Sequence, residues 1–291
     1  MKKKNAIQQT VQNFYNKTPF PDFELDRFDT KNDLVDTVYP FGKIIDKSIP
    51  DDVAVIDVGT GTGQLSSFLS LKRQCVYGID FSEGSLSKAH MLKQKLDLNS
   101  LNIHKINIMD ISQIDNIGKK FDYVLCLGVL HHTEDAYQAF CNIRRLLKPE
   151  GFIAVGLYNR FGRLPLKVRI FLAKTIFKNN HKVKDYFIRM QIGDIKDIER
   201  ARGWWNDQYL HPHETTHTVG EVLNWFKKNN IEYFHTVPSL YGQDNLDITG
   251  LWYKEAKPSF LRRVYRQFTW IWKTHKEGGY WITFGRSLDV K

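Results

Sequence analysis

The chain has 291 residues, of which 42% are hydrophobic and 13% aromatic, which is enough for one sizeable core domain with insertions. No run approaches the roughly 20 apolar residues of a membrane-spanning helix, so we do not expect this chain to be an integral membrane protein. The formal net charge is +10, and it is concentrated: residues 160–203 hold twelve Lys and Arg against four Asp and Glu, and residues 254–276 hold seven against one.

The start of the chain and its cysteines predict a cytoplasmic protein. Residues 1–4 are basic, but residues 8–10 read Gln-Gln-Thr, where a secretory signal would need an apolar segment. Cys75, Cys126 and Cys141 are odd in number and lack C-x-x-C spacing. We therefore expect reduced thiols.

A glycine-rich turn follows the first predicted strand. The β-branched run Val53–Ile56 predicts that strand, and residues 57–63, Asp-Val-Gly-Thr-Gly-Thr-Gly, join it to a helical pattern. Glycine lets the backbone approach a ligand closely, and the helix that follows offers free N–H groups, so a nucleotide-like ligand is expected. The dinucleotide fingerprint needs glycine at position 64, where this chain has Gln64, so a nicotinamide cofactor is disfavoured.

Further strands follow in order, and polar residues stand at their ends. The next predicted strands are Cys75–Ile79, 103–108, Phe121–Leu127 and Phe152–Tyr158. Asp80 comes about twenty residues after the first glycine, where a carboxylate can accept hydrogen bonds from ribose hydroxyls. Asp110 follows the third strand, and residues 128–133, Gly-Val-Leu-His-His-Thr, follow the fourth. Asp80 and Asp110 could equally be helix N-caps, because Asp is a preferred capping residue.

Together, these segments resemble the class I S-adenosylmethionine (SAM) dependent methyltransferases in order and spacing over residues 53–158. The resemblance implies an α/β fold with a Rossmann-like, seven-stranded, mainly parallel sheet and helices on both faces. It also implies SAM as the cofactor. The residues that match the cofactor-binding positions of the family are Asp57, Gly59, Thr60, Gly61, Gly63, Asp80, Phe81, Asp110, Ile111 and Leu127.

The remaining strands define the predicted domain organisation. A capping box at Thr218–Glu221 opens a helix that leads to the strand Ile231–Val237, and the last strand is assigned to Tyr280–Phe284. Residues 51–158 are therefore predicted to form the SAM-binding core, which residues 218–291 complete. The additions are an N-terminal cap at 1–50 with a helix from Ala6 to Tyr15, a helical lid insertion at 159–217, and a second insertion at about 239–279.

Both insertions are basic and contain predicted helices. Apolar residues recur at helical spacing over Leu261–Trp272, with basic residues off that stripe. Such a stripe ordinarily packs on the protein's own sheet, and the alternative is contact with a membrane surface. Leu164–Phe177 in the first insertion is also apolar with interspersed Lys and Arg. We expect both helices to roof the substrate site.

Residues 213–217 read His-Glu-Thr-Thr-His, the H-E-x-x-H pattern of zinc proteases. Zinc binding by this pattern requires a helix, on which His213 and His217 would project from one face. Pro212 precedes the pattern, and the capping box places the helix start at Thr218, after the second histidine. We therefore predict a loop without a metal, with residues 207–214 lying over the active site.

Methyl transfer from a sulfonium needs alignment and exclusion of water, because the electrophile is already activated by its positive charge. For a phenol, enol or hydroxyl acceptor, a neutral histidine is the natural proton acceptor. The candidates are His132 after the fourth strand and His211 in the loop, with Tyr158 as a positioning group. The lid over the substrate is expected to include Tyr15, Tyr209 and His213.

We therefore expect a cytoplasmic SAM-dependent methyltransferase that acts on a small or lipid-like acceptor by O- or C-methylation, with a peripheral contact at the inner face of the membrane. The Gly-Val-Leu-His-His motif resembles that of quinone-precursor and other small-molecule methyltransferases. RNA methylation is the alternative, since clusters of basic and aromatic residues suit phosphates and bases. Against RNA, the loop after the fourth strand lacks an N/D-P-P-Y motif. Zinc binding through His213 and His217 is a third hypothesis.

Overall fold

A central sheet organises the chain, and the computed structural model describes residues 2–176, 180–192, 198–242, 250–274 and 278–289. The strands are β1 (Ala54–Val58), β2 (Cys75–Asp80), β3 (Leu101–Lys105), β4 (Phe121–Leu127), β5 (Leu147–Tyr158), β6 (Ile231–Val237) and β7 (Tyr280–Ser287). They form a seven-stranded sheet in the order β3-β2-β1-β4-β5-β7-β6. Strands β1 to β5 are parallel, and β7 lies antiparallel to both β5 and β6. The predicted Rossmann-like, mainly parallel sheet is confirmed.

Helices cover both faces of this sheet. They are α1 (Lys2–Lys17), α2 (Lys31–Thr37), α3 (Pro40–Ser48), α4 (Gln64–Leu69), α5 (Glu83–Lys95), α6 (Ile111–Asp115), α7 (Ala136–Arg144), α8 (Leu164–Thr175), α9 (His181–Ile192), α10 (Ile198–Tyr209), α11 (Val219–Lys228) and α12 (Phe260–Lys273). Successive strand side chains point to opposite faces. Val55 and Leu125 therefore pack with α4 and α5, whereas Ile56 and Val124 pack with α7 and α11.

The N-terminal cap lies against the glycine-rich turn and α5. The predicted helix over Ala6–Tyr15 is confirmed as part of α1. The hydroxyl of Thr62 donates to the carbonyl of Pro21 at 2.7 Å, and Lys88 of α5 pairs with Asp22. The cap is therefore held by the glycine-rich turn after β1 and by helix α5 after β2.

A buried ion pair joins α3 of the cap to the turn between α4 and β2. Arg73 is fully buried, and its Nη1 donates to Asp46 Oδ1 at 2.7 Å. The same guanidinium also donates to the backbone carbonyls of Asp46, Ile49 and Pro50. All the donors of Arg73 face oxygen atoms, so the burial of this charge is compensated.

The two predicted insertions emerge at the same edge of the sheet. The first carries α8, α9 and α10 between β5 and α11, and its helices share a small core of their own that contains Leu166, Phe187 and Trp205. The second carries α12 between β6 and β7. Phe177, the predicted end of the apolar stretch in the first insertion, lies outside the described residues. Within the described ranges, no helix has the length and apolar character needed to cross a bilayer.

We predict that Asp46→Ala lowers the free energy of unfolding by about 3–5 kcal/mol, because it leaves the buried Arg73 charge without its carboxylate partner. Urea denaturation followed by circular dichroism measures this loss. Asp51 is the matched control, because its carboxylate lies 3.7 Å from Arg73 but its side chain is 68% exposed. Asp51→Ala should change stability by less than about 0.5 kcal/mol, and an equal loss in both variants would contradict the prediction.

Candidate active site

The glycine-rich turn is enclosed on two sides. Gly59, Gly61 and Gly63 have φ values of +74°, +56° and +80°, which glycine adopts without strain. A Cβ on Gly59 would overlap the Val129 side chain, and one on Gly61 would overlap the carbonyl of Phe20. The turn after β4 therefore excludes a side chain at position 59, and the N-terminal cap excludes one at position 61.

Two buried carboxylates stand at the ends of β1 and β2. Asp57 accepts a hydrogen bond from Thr60 Oγ1 at 2.8 Å, and Asp80 accepts from the backbone N–H groups of Gly61 and Ser82 at 2.9 and 2.8 Å. Burial raises the pKa of Asp57 to about 7 and also raises the pKa of Asp80. Among the described residues neither carboxylate forms an ion pair with a basic side chain, so the site is suited to a cationic ligand.

Both carboxylates border a cavity of about 780 Å³ at the carboxyl ends of the parallel strands, where open α/β sheets bind ligands. Seven of the ten predicted cofactor-binding residues line it: Asp57, Gly59, Thr60, Gly61, Asp80, Phe81 and Leu127. The cap contributes further lining residues, which include Gln12, Tyr15, Phe20, Arg27 and Tyr39.

Three predicted cofactor-binding residues do not line the cavity. Position 63 requires glycine for packing against α5, because a Cβ there would lie 2.7 Å from Ala89 Cβ. Asp110 caps α6 by accepting from the backbone N–H groups of Ser112 and Gln113, and Ile111 is 47% exposed on that helix. Asn107 and Met109 line the cavity in this region instead.

Two of the three catalytic candidates, His132 and Tyr158, line one wall of the cavity, and His211 packs against His132 without lining the cavity itself. The ring centroids of His132 and His211 are 3.7 Å apart, and the ring centroid of Tyr158 lies 6.3 Å from that of His132. His132 Nδ1 lies 3.0 Å from the carbonyl oxygen of His213, which can only accept, so Nδ1 carries the proton and Nε2 is an acceptor. Burial lowers the pKa of His132 to about 3 and that of His211 to about 2. Both rings are therefore neutral near pH 7.

A hydrogen-bond network connects the cap to this wall. Tyr15 Oη donates to Asp207 Oδ1 at 2.8 Å, and Gln208 Nε2 lies 2.8 Å from Asp207 Oδ2 and 2.6 Å from Tyr158 Oη. These residues come from α1, α10 and β5, which are far apart in the sequence. The network fixes the positions of Tyr15 and Tyr158 at the edge of the cavity.

Arg163 supports this network from behind. Its Nη1 donates to Gln208 Oε1 at 2.7 Å, and its guanidinium carbon lies 3.5 Å from the ring centroid of Tyr158. It also forms a two-point ion pair with Glu214. The sequence placed Gln208 only within the segment 207–214 over the active site and gave no role to Arg163, because no local motif marks partners that lie 45 residues apart. The only signal was the polar and aromatic stretch that ends the first insertion.

Tyr15 is the one predicted lid residue that borders the cavity. Tyr209 stacks on Trp205, with ring centroids 4.0 Å apart, in the core of the first insertion. His213 Nε2 lies 3.1 Å from the carbonyl of Thr133 and also stays outside the lining. The described residues of α8 and α12 do not border the cavity either, so the expectation that these helices roof it is not met. Its roof consists of α1 and of Trp204, Asp207 and Gln208 from α10.

The H-E-x-x-H segment is a loop, as predicted. Helix α11 begins at Val219, and Thr218 caps it in a capping box with Glu221. The metal-binding candidates have separate partners, because Glu214 pairs with Arg163 and His217 Nε2 lies 2.9 Å from Thr215 Oγ1. In the part of the chain that the structure describes, no group of three or more His, Cys, Asp or Glu could hold a metal ion.

Comparison with known sequences identifies relatives of the core. A family model described as "Methyltransferase domain" matches residues 49–230, which is more than half of the chain. An uncharacterized protein of Synechococcus sp. is 22% identical over 202 residues, which cover 62% of this chain and 47% of that protein. The ubiquinone biosynthesis O-methyltransferase of Coxiella burnetii is 32% identical over 108 residues, which cover 36% of this chain and 44% of that enzyme. The chain thus spans about half the length of the curated relatives it matches.

Comparison with solved structures shows the same fold. Magnesium protoporphyrin IX methyltransferase from Synechocystis PCC 6803, solved with bound SAH, has a TM-score of 0.52 at 16% identity, and the match covers 97% of this chain and 99% of that one. The structure of PKMT2 from Rickettsia typhi has a TM-score of 0.58 at 17% identity, and the match covers 87% and 55% of the two chains.

We predict that the purified protein holds no stoichiometric zinc, because the two histidines of residues 213–217 precede a helix cap and have other partners. Elemental analysis by mass spectrometry measures the zinc content, and His213→Ala should leave it unchanged. About one zinc ion per chain, lost in His213→Ala, would show that this segment is a metal site after all.

Proposed function

We propose that this chain, which belongs to the class I S-adenosylmethionine-dependent methyltransferases, transfers a methyl group from SAM to a small or lipid-like acceptor by O- or C-methylation. The observation that carries the proposal is the cavity of about 780 Å³, in which the residues of the cofactor motifs face a wall of neutral histidine and tyrosine. That volume lies within the usual range of small-molecule sites, roughly 300–1,000 Å³.

The residues at the strand ends fit this cofactor. Asp80 already accepts two backbone hydrogen bonds, but an ionised carboxylate has about four acceptor positions, so it can also bind ribose hydroxyls. Asp57, buried without a basic partner, favours a positively charged group beside it. Phe81 lines the cavity next to Asp80 and supplies an apolar ring for contact with the adenine. When bound, SAM supplies an activated methyl group on a positively charged sulfur.

The histidine wall limits the class of acceptor. His132 offers Nε2 as a hydrogen-bond acceptor, but its pKa of about 3 makes it a weak base. It can orient an acceptor hydroxyl, whereas full removal of a proton requires that the acceptor itself be acidic. Phenols and enols meet this condition better than aliphatic alcohols do, which supports O- or C-methylation. Tyr158, fixed by Gln208, is placed to position the same group.

The small-molecule proposal is better supported than methylation of RNA. The positive charge of the insertions lies largely outside the cavity, because described residues of α8 and α12 do not border it. The name of the Coxiella burnetii relative, a ubiquinone biosynthesis O-methyltransferase, also favours a small or lipid-like acceptor.

We predict that the affinity for SAM falls about tenfold between pH 8 and pH 6. A cation favours the ionised form of Asp57, whose pKa is about 7, and the ionised fraction falls about tenfold over that interval. Isothermal titration calorimetry of SAM at a series of pH values measures the change.

Asp57→Asn should bind SAM more weakly and should show a flatter pH dependence, because the titrating group is gone. Asp80→Ala should weaken binding at every pH, because its acceptors for the ribose are lost. Asp115→Asn, an exposed acidic position on α6, is the control and should match the unmodified protein. If the pH dependence persists unchanged in Asp57→Asn, the assigned role of Asp57 is wrong.

The acceptor class is tested by incubating the purified protein with methyl-labelled SAM and a total cell extract. The label is then partitioned among lipid, small-molecule, RNA and protein fractions. We expect it in the lipid or small-molecule fraction, with His132→Ala reducing the rate of transfer while leaving the affinity for SAM unchanged. Label confined to RNA or protein would refute the proposed acceptor while leaving the cofactor assignment intact.

A further inference from the structure

Helix α12 exposes its apolar face to solvent. Leu261, Tyr265, Phe268 and Trp272 are 77%, 66%, 51% and 62% exposed, and their spacing of four, three and four residues places them on one side of the helix. Val264 is 43% exposed on the same side. An apolar stripe of this size on a surface helix usually faces the core, so its outward direction requires an explanation.

Buried polar contacts fix this orientation. Gln267 is buried on the inner side, where its Oε1 accepts from Asn159 Nδ2 at 2.9 Å and from the backbone N–H of Val219 at 2.7 Å. Arg266 donates to the backbone carbonyls of Leu240 and Tyr241, each at 3.0 Å. Turning the apolar stripe inward would leave the buried donors of Asn159 and Val219 without an acceptor, which is unfavourable. The contacts on the inner side of α12 therefore keep the apolar stripe exposed.

We propose that this face of α12 is a docking surface for an anionic lipid bilayer. A basic helix with exposed Leu, Phe and Trp side chains is typical of helices that lie in a membrane interface. Arg262 and Lys273 are exposed at the two ends of the stripe, and residues 254–276 contain seven basic residues against one acidic residue. Acidic lipid headgroups complement this charge, while the apolar side chains enter the acyl boundary.

The charge argues against a second copy of the chain as the occupant. A symmetric contact through α12 would bring two strongly basic segments together, and like charges repel at an interface. Aromatic side chains for RNA stacking would stand singly between exposed cations, whereas here they form a continuous stripe with Leu261 and Val264. The anionic bilayer satisfies both the charge and the apolar area.

A second exposed apolar stripe begins where α12 ends. A Cβ on Gly162 would lie 2.7 Å from Thr274 Oγ1, so the start of α8 adjoins the end of α12. Helix α8 then exposes Leu164, Val168 and Phe171 at helical spacing, with 45%, 56% and 61% of their surfaces accessible. Exposed apolar side chains are therefore also present on α8, whose start adjoins the end of α12.

The inner side of α12, opposite the docking surface, lies close to the candidate active site. Asn159, which binds Gln267 of α12, directly follows Tyr158 of the cavity wall. A bilayer on the docking surface would hold the cavity near the headgroup region, where an amphipathic acceptor partitions. The docking proposal itself rests on exposure and charge, and it stands whether or not the acceptor proves to be lipid-like.

Vesicle flotation of the full chain tests the proposal. Vesicles of phosphatidylcholine with phosphatidylglycerol should bind the protein, vesicles of phosphatidylcholine alone should bind it much less, and added salt should weaken the binding. The double substitution Leu261→Ser with Phe268→Ser should weaken binding more than about tenfold, because it removes two large apolar side chains from the interface. Arg262→Glu with Lys273→Glu should abolish the preference for anionic vesicles.

Matched controls make the result specific to α12. Leu288→Ser removes an apolar side chain that is 57% exposed elsewhere, and Lys31→Glu with Lys120→Glu reverses two exposed charges elsewhere; both variants should bind vesicles as the unmodified protein does. Circular dichroism verifies that each variant is folded. Failure to bind anionic vesicles, or equal losses in the control variants, overturns the proposal. Self-association in sedimentation velocity that disappears in Leu261→Ser with Phe268→Ser, without vesicle binding, would identify an interface between copies instead.

Discussion

The buried carboxylates of Asp57 and Asp80 impose the constraint on which the rest of the site depends. They stand at the ends of adjacent parallel strands, where burial raises the pKa of each group. Hydrogen bonds from Thr60, Gly61 and Ser82 offset part of this unfavourable burial, but no basic side chain of the described residues pairs with either group. A site that keeps two acids in this state is complementary to a ligand with positive charge, and Gly59 and Gly61 of the glycine-rich turn line the same cavity.

The first insertion completes the site through backbone contacts as much as through side chains. The N–H of Thr215 donates to the carbonyl of His131 at 2.8 Å, and the N–H of His217 donates to the carbonyl of Tyr158 at 2.9 Å. This docking of the segment after α10 explains why its histidines do not converge on a metal. It also places the carbonyl of His213 beside the ring of His132 and so decides which nitrogen carries the proton.

Helix α12 illustrates how a polar contact can outweigh an apolar pattern. Its sequence has the periodicity of a helix that packs on a core, yet Gln267 and Trp270 are the buried positions and the apolar stripe is outside. Gln267 provides the acceptor for Asn159 and Val219 at the junction of β5 and α11. Because these donors are buried, satisfying them decides the orientation of the helix, and the apolar side chains are left for another partner.

The sequence by itself determined the sheet, the glycine-rich turn, the capping box at Thr218 and the two carboxylates, because each depends on periodicity or on spacing within a short segment. Their positions after strands and in the loop also made His132, His211 and Tyr158 candidates, and the structure brings these three residues close together. Only the tertiary structure decided that Asp110 caps α6, that Gly63 serves packing, and that Tyr209 faces the core of the insertion. The contact between Tyr15 and Asp207 joins residues 192 positions apart, and the outward face of α12 depends on Gln267. These contacts and orientations depend on packing between segments that are distant in the sequence. The local sequence pattern does not predict such packing.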